Sequence, residues 1–283
     1  MRLLLAAAVT ALLAAPALTT PALAACPDDA AVDALAADLG AMTPATLQAV
    51  PETMDDALCM QDKLVTRLMG EDGERIGYKV GLTSKPAQER FGATAPVRGV
   101  LLDGMIAEDG ATVGRFASRG LFEADLLVTV RSDEINLATT PMEVLRHIES
   151  VRPFIELADL VVAEGRPLTP DIITGFNVGA RMGVAGNEVR ARTTQAFLDS
   201  LETMTVRMST SEGGELFAVP GAAVLGHPLN AVLWLLDDGV KLEAGDVVSL
   251  GSFGAPQPAV PGQTVTVAYE GLGDSPSVSV TLE

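Results

Sequence analysis

Residues 121–128 read Leu121-Phe122-Glu123-Ala124-Asp125-Leu126-Leu127-Val128. The alternation predicts a β-strand, because successive side chains on a strand point to opposite faces. Phe122, Ala124, Leu126 and Val128 then share an apolar face, and Glu123 and Asp125 lie side by side on the other. A second stretch, Pro153-Phe154-Ile155-Glu156-Leu157-Ala158, is apolar except for one carboxylate. Neighbouring acids repel unless something positive lies between them. Burying an unpaired ionised group is costly. A divalent cation bound by Glu123, Asp125 and Glu156 accounts for three carboxylates in apolar strands, and oxygen-only ligands favour Mg²⁺ or Mn²⁺ over zinc. A plainer reading leaves Glu123 and Asp125 on a solvated sheet face and pairs Glu156 with an arginine.

A third stretch, Gly77-Tyr78-Lys79-Val80-Gly81-Leu82-Thr83-Ser84-Lys85, places Lys79 between apolar residues in a predicted strand. A partly buried lysine can polarise an oxygen or transfer a proton. It can also extend its stem along apolar surface with the ammonium in water. The stretch does not match the phosphate-binding pattern G-x-x-x-x-G-K-[ST].

Outward from these stretches, helices are predicted over 28–40 and 55–69, the second ended by Gly70. Strands are predicted over 76–82, 99–102, 121–130, 154–162, 246–250, 264–269 and 277–282. Short helices are expected over 84–91, 141–151 and 228–236. Residues 201–209 and 215–219 flank Gly213-Gly214 as a hairpin. Helices first and strands later argue for an α+β fold. The expected organisation is a helical N-terminal segment over 25–75 and a strand-rich domain over 76–283.

The chain has 283 residues, enough for a substantial core. Its 19 basic and 37 acidic residues give a net charge of -18, which argues against a nucleic-acid binder. Having only 8 Phe, 2 Tyr and 1 Trp also argues against a base-stacking platform. Arg2, the apolar run after it and Ala22-Leu23-Ala24 read as a signal peptide over 1–24, implying export to the periplasm. No later run approaches the ~18 apolar residues of a membrane span. Cys26 and Cys59 suit one disulfide in an exported chain, while Leu23-Ala24-Ala25-Cys26 also looks like a lipobox that would lipidate Cys26. Two histidines and no G-x-S-x-G argue against a Ser-His-Asp hydrolase. His147 reads as a surface residue, and His227 as one that orients the turn before Pro228. Gly251-Ser252-Phe253-Gly254 suits either a simple turn or backbone donors for a substrate carboxylate.

The blocks Gly77–Lys85, Glu123-Ala124-Asp125, Phe154-Ile155-Glu156, Gly226-His227-Pro228-Leu229-Asn230-Ala231-Val232 and Pro261-Gly262, in this order, carry a resemblance. From Ile76 onward the chain resembles the 2-keto-4-pentenoate hydratase / 2-oxohex-3-enedioate decarboxylase family of the fumarylacetoacetate hydrolase-like superfamily. The resemblance implies a mixed β-sheet folded into a barrel-like roll with flanking helices. It implies a metal held at Glu123, Asp125 and Glu156, a catalytic lysine at Lys79, and work alongside ring-degradation enzymes. Asn177 and Ser252 are candidate substrate contacts. The chain departs from the family pattern at Asp125, where Glu is usual, at Val97, where many hydratases have Asp, and at Phe176-Asn177-Val178-Gly179, where many have Asp-Asn-Ala-Ser.

The expected activity is that of a hydro-lyase adding water to a small 2-oxo or 2-hydroxydienoate acid with Mg²⁺ or Mn²⁺. A decarboxylase, or an exported binding protein without catalysis, are the alternatives. Homo-oligomerisation stays open.

Overall fold

A computed structural model describes residues 26–283; the expected leader over 1–24 lies outside the described residues. The helices Asp29–Ala41 and Met54–Asp72 open the described chain. Asp28 and Thr53 cap them by accepting hydrogen bonds from the Ala31 and Asp56 N–H groups. Cys26 is disulfide-bonded to Cys59, which ties the start of the first helix to the second. Among the described residues, no helix is long and apolar enough to cross a membrane.

Two sheets follow. The larger runs in the order Val97–Leu102, Arg75–Gly81, Val247–Ser249, Gly120–Val130, Ile148–Asp159, Met182–Ala185, Ile106–Glu108. Short strands Gln257–Pro258 and Val189–Arg190 pair with Gly120–Val130 and Ile148–Asp159. The smaller runs Gly214–Pro220, Thr205–Thr210, Thr264–Glu270, Ser277–Leu282, Ala111–Val113. Parallel and antiparallel pairs mix, and the larger sheet curls into a half-barrel, an α+β fold of the expected kind.

Phe122, Ala124, Leu126 and Val128 bury their shared face in a core that includes Val206, Met208, Val265, Val267, Tyr269, Val278 and Val280 of the smaller sheet. Burial of the Val, Leu, Met and Phe side chains among them contributes about 1.5–3 kcal/mol each. That face holds the two sheets together and turns Glu123 and Asp125 away from the core. A second cluster joins Leu35, Leu39, Met60 and Leu64 of the N-terminal helices to Val97, Val100, Ile172 and Phe176. The helical segment therefore packs on the strands and turns that shape the site.

Three local expectations are corrected, and one helix is added to them. The helix predicted over 141–151 stops at Arg146, and Ile148–Asp159 is one long strand. Its pairing with Gly120–Val130 at eleven register positions outweighs local helix propensity. The hairpin's first strand is Thr205–Thr210, because residues 195–203 form a helix capped by Thr194 that buries Phe197 and Leu201, four residues apart. Gly70 does not end the second helix, which runs to Asp72 and stops at Gly73 with φ 90°. A helix at Pro170–Gly175, capped by Thr169 with Pro170 in its first turn, goes unpredicted.

Candidate metal and substrate site

Glu123 and Glu156 are directly opposed across the Gly120–Val130 and Ile148–Asp159 strands, and Asp125 lies opposite Phe154. Opposed residues share a sheet face, as do residues two apart on a strand. All three carboxylates therefore rise from one face, opposite the packed core. Lys79 reaches the same face through its neighbour Ser249, which pairs with Leu127 on the acid-bearing strand.

Asp125 is wholly buried. Its Oδ2 accepts from the Ser249 hydroxyl at 2.5 Å, and its Oδ1 accepts from the N–H groups of Gly251 at 3.0 Å and Leu126 at 2.5 Å. Burial outweighs these donors and pushes its pKa up to about 6. Glu123 is half-buried, with Ser252 as a side-chain hydrogen-bond partner; burial raises its pKa while Lys79 and Ser252 pull it down. Lys79 is 3% exposed. Its ammonium pairs with Glu156 and donates to the Val178 carbonyl at 2.9 Å. Burial pushes its pKa down to about 8, against the attraction of Glu123 and Asp125. Such a lysine holds a minority of neutral amine at neutral pH, as proton transfer requires.

The Val178 carbonyl is aimed by unusual backbone. Asn177, Val178 and Gly179 all have positive φ, at 59°, 54° and 69°. For β-branched Val178 this conformation is strained. The Asn177 side chain holds the turn in place: its Oδ1 accepts from Val100 N–H at 2.7 Å and its Nδ2 donates to the Val100 carbonyl at 3.0 Å. Gly99, opposite Lys79, lets the turn come this close, since a Cβ there would sit 2.8 Å from the Asn177 carbonyl oxygen.

Of the six residues singled out in the sequence, the structure brings Lys79 to Glu156 and Ser252 to Glu123, and it roots Asp125 in the same face. Asn177 spends its amide on the backbone of Val100. Ser252 is half-buried and its hydroxyl also lies 2.9 Å from the Gly254 carbonyl. His227 accepts from Leu229 N–H through Nδ1 and contacts the Leu198 carbonyl through Nε2, so it orients the turn before the Asn230–Asp237 helix. His147 caps the Pro141–Arg146 helix. Sequence reasoning misses Ser249; the signal was a lone hydroxyl ending the apolar run Val247-Val248.

Among the described residues, no three His, Cys, Asp or Glu side chains converge as a ready-made metal cage. The donor chemistry nonetheless fits a divalent cation. Three carboxylates and one ammonium leave this face two negative charges in excess, and raised pKa values at Glu123 and Asp125 are the sign of uncompensated buried acid. Oxygen donors of this kind suit a hard ion such as Mg²⁺ or Mn²⁺.

No protein-family model matches the chain. It is 32% identical over 230 residues to a 2-hydroxyhexa-2,4-dienoate hydratase of Comamonas testosteroni, covering 78% of this chain and 84% of that protein. It is 28% identical over 227 residues to a 2-keto-4-pentenoate hydratase of Dechloromonas aromatica, covering 78% of this chain and 84% of that protein. Among solved structures it resembles a 4-oxalocrotonate decarboxylase from Pseudomonas putida G7 complexed with magnesium and adipate. That match has a TM-score of 0.75 and 26% identity, and covers 90% of this chain and 97% of the other.

Proposed function

The chain belongs to the 2-keto-4-pentenoate hydratase / 2-oxohex-3-enedioate decarboxylase family, within the fumarylacetoacetate hydrolase-like superfamily, and from that premise we propose that it is a metal-dependent hydro-lyase adding water to a small 2-hydroxydienoate or 2-oxo acid. The observation that carries the reading is one sheet face that bears Glu123, Asp125 and Glu156 together with a buried ammonium, Lys79, ion-paired to Glu156. Glu123, Asp125 and Glu156 would hold Mg²⁺ or Mn²⁺. When bound, such an ion supplies a Lewis acid that stabilises the negative charge of an enolate.

The chain's own residues do the rest. Lys79 carries the proton that moves when the dienol becomes the ketone, before water adds to the remaining double bond. Glu156 and the Val178 carbonyl hold its Nζ in place. Ser249 and the Gly251 N–H fix the Asp125 carboxylate, so that it is pre-oriented toward the cation it would hold. Ser252, half-buried beside Glu123, would contact the substrate carboxylate. Asn177 acts at one remove, by shaping the turn that aims Val178.

The same charge stabilisation would serve loss of CO₂, and the likeness to the decarboxylase keeps that second reading alive. The test is a screen of 2-hydroxydienoates and 2-oxo-enedioates with Mg²⁺ or Mn²⁺, following the conjugated-dienol absorbance and analysing products. A hydrated product supports the proposal. Release of CO₂ without a hydrated product selects the decarboxylase, and no turnover of any such acid leaves a binding protein. We also propose that the protein is exported. The leader pattern supports this, as does the Cys26–Cys59 disulfide, which persists in oxidising compartments.

A further inference from the structure

Tyr269 lies on the Thr264–Glu270 strand of the smaller sheet and is fully buried. Its strand neighbours Val265 and Val267 fill the same core with hydrocarbon alone. A hydroxyl in such a core is costly unless bonded. The Tyr269 hydroxyl crosses to the backbone of the larger sheet. It donates to the Asp125 carbonyl, lies 3.3 Å from the Phe154 carbonyl and accepts from the Phe154 N–H at 3.4 Å. Asp125 and Phe154 are opposed partners on the two strands that bear the three acids.

The ring does a second job. It meets Phe253 edge-on, with centroids 6.2 Å apart. The Phe253 N–H donates to the Ala124 carbonyl at 2.9 Å, and Phe253 belongs to the turn whose Gly251 N–H holds the Asp125 carboxylate. One side chain thus supports Asp125 twice: through its own carbonyl from beneath, and through the turn that grips its carboxylate.

We propose that Tyr269 is a positioning residue for the divalent-cation site. It clamps the Asp125–Phe154 pair and so fixes the spacing of Glu123, Asp125 and Glu156 on the opposite face. The proposal rests on the metal reading given above. Groups that orient metal ligands typically change affinity by 10–100-fold when removed. This hydroxyl holds the backbone of a ligand rather than its carboxylate, so the lower end applies.

The test compares Tyr269→Phe with Val267→Ala in the full chain, titrating Mn²⁺ by calorimetry and following amide exchange along Gly120–Val130. Val267 neighbours Tyr269 in the core and makes no contact through a hydroxyl, so it controls for lost packing. The proposal expects Tyr269→Phe to weaken Mn²⁺ binding about tenfold and to speed exchange around Asp125. Val267→Ala should lower the melting temperature while keeping Mn²⁺ affinity within twofold of the parent. Tyr269→Phe binding Mn²⁺ as the parent does, or Val267→Ala weakening it equally, overturns the clamp. A parent protein that binds no Mn²⁺ overturns the metal reading itself, and the clamp with it; the parent titration alone separates that failure from the others.

Discussion

Replacing Asn177 tests how the site is held. Asn177 is buried, and its amide bonds both the N–H and the carbonyl of Val100. Asn177→Ala strands both groups in the interior, where an unsatisfied buried polar group costs about 1–3 kcal/mol. Alanine must also adopt the φ of 59° that asparagine tolerates, at about 1 kcal/mol more. The expected loss is about 4 kcal/mol, roughly 10 °C in melting temperature for a chain of this size. Asn177→Gly removes the same hydrogen bonds without the backbone penalty, so it should recover about 1 kcal/mol of that loss. Catalysis separates the roles of the side chain. With the turn loosened, the Val178 carbonyl no longer fixes Lys79, and kcat should fall with KM nearly unchanged. Thermal unfolding of both variants and steady-state kinetics on the substrate found by the screen provide the data. A large rise in KM with kcat retained would show Asn177 touching substrate. A stability loss below about 1 kcal/mol in Asn177→Ala would refute the claim that its two bonds hold the turn.

Other outcomes follow from the same geometry. Lys79→Met should abolish turnover yet keep Mn²⁺ binding, because it removes the proton carrier and leaves every carboxylate; loss of Mn²⁺ binding in a calorimetric titration would contradict this. In the metal-free parent, Lys79 loses its proton near pH 8 when folded against 10.5 when unfolded. The unfolded chain then binds more protons between those values, so stability should rise with pH across that window, and the rise should be missing from Lys79→Met in denaturant melts. Burial lowers the His227 pKa below 6.5. Its contribution is therefore present above pH 6.5 and is lost as pH falls below that value; His227→Gln should flatten this part of the pH–stability curve. Reducing the Cys26–Cys59 bridge, which spans 33 residues, should cost about 3–4 kcal/mol if chain entropy dominates, and melting with and without reductant measures it.

The candidate site residues were legible because each breaks a local rule. Glu123, Asp125 and Glu156 interrupt apolar strands, and Lys79 sits among glycines and hydrophobes. Strands with one apolar face were legible for the same reason, since period-two alternation is a property of consecutive residues. The helix Gln195–Thr203 and the strand start at Ile148 were not, because their state depends on partners far along the chain. Tyr269 carried no signal at all. A tyrosine in the alternating run Thr264–Glu270 reads as one more core residue until the opposing backbone is in view.

By itself, then, the sequence determined that a strand bearing two acids on one face would be packed on the other, and that a lysine and a third acid would lie in similar strands. Those are consequences of side-chain polarity and backbone pleat, which act between neighbours. Only the tertiary structure decided that Glu123 faces Glu156, that Lys79 reaches Glu156, that Asn177 grips Val100 and that Tyr269 lies under Asp125. Each joins residues tens of positions apart, brought together by strand order and sheet packing, and no local pattern encodes that order.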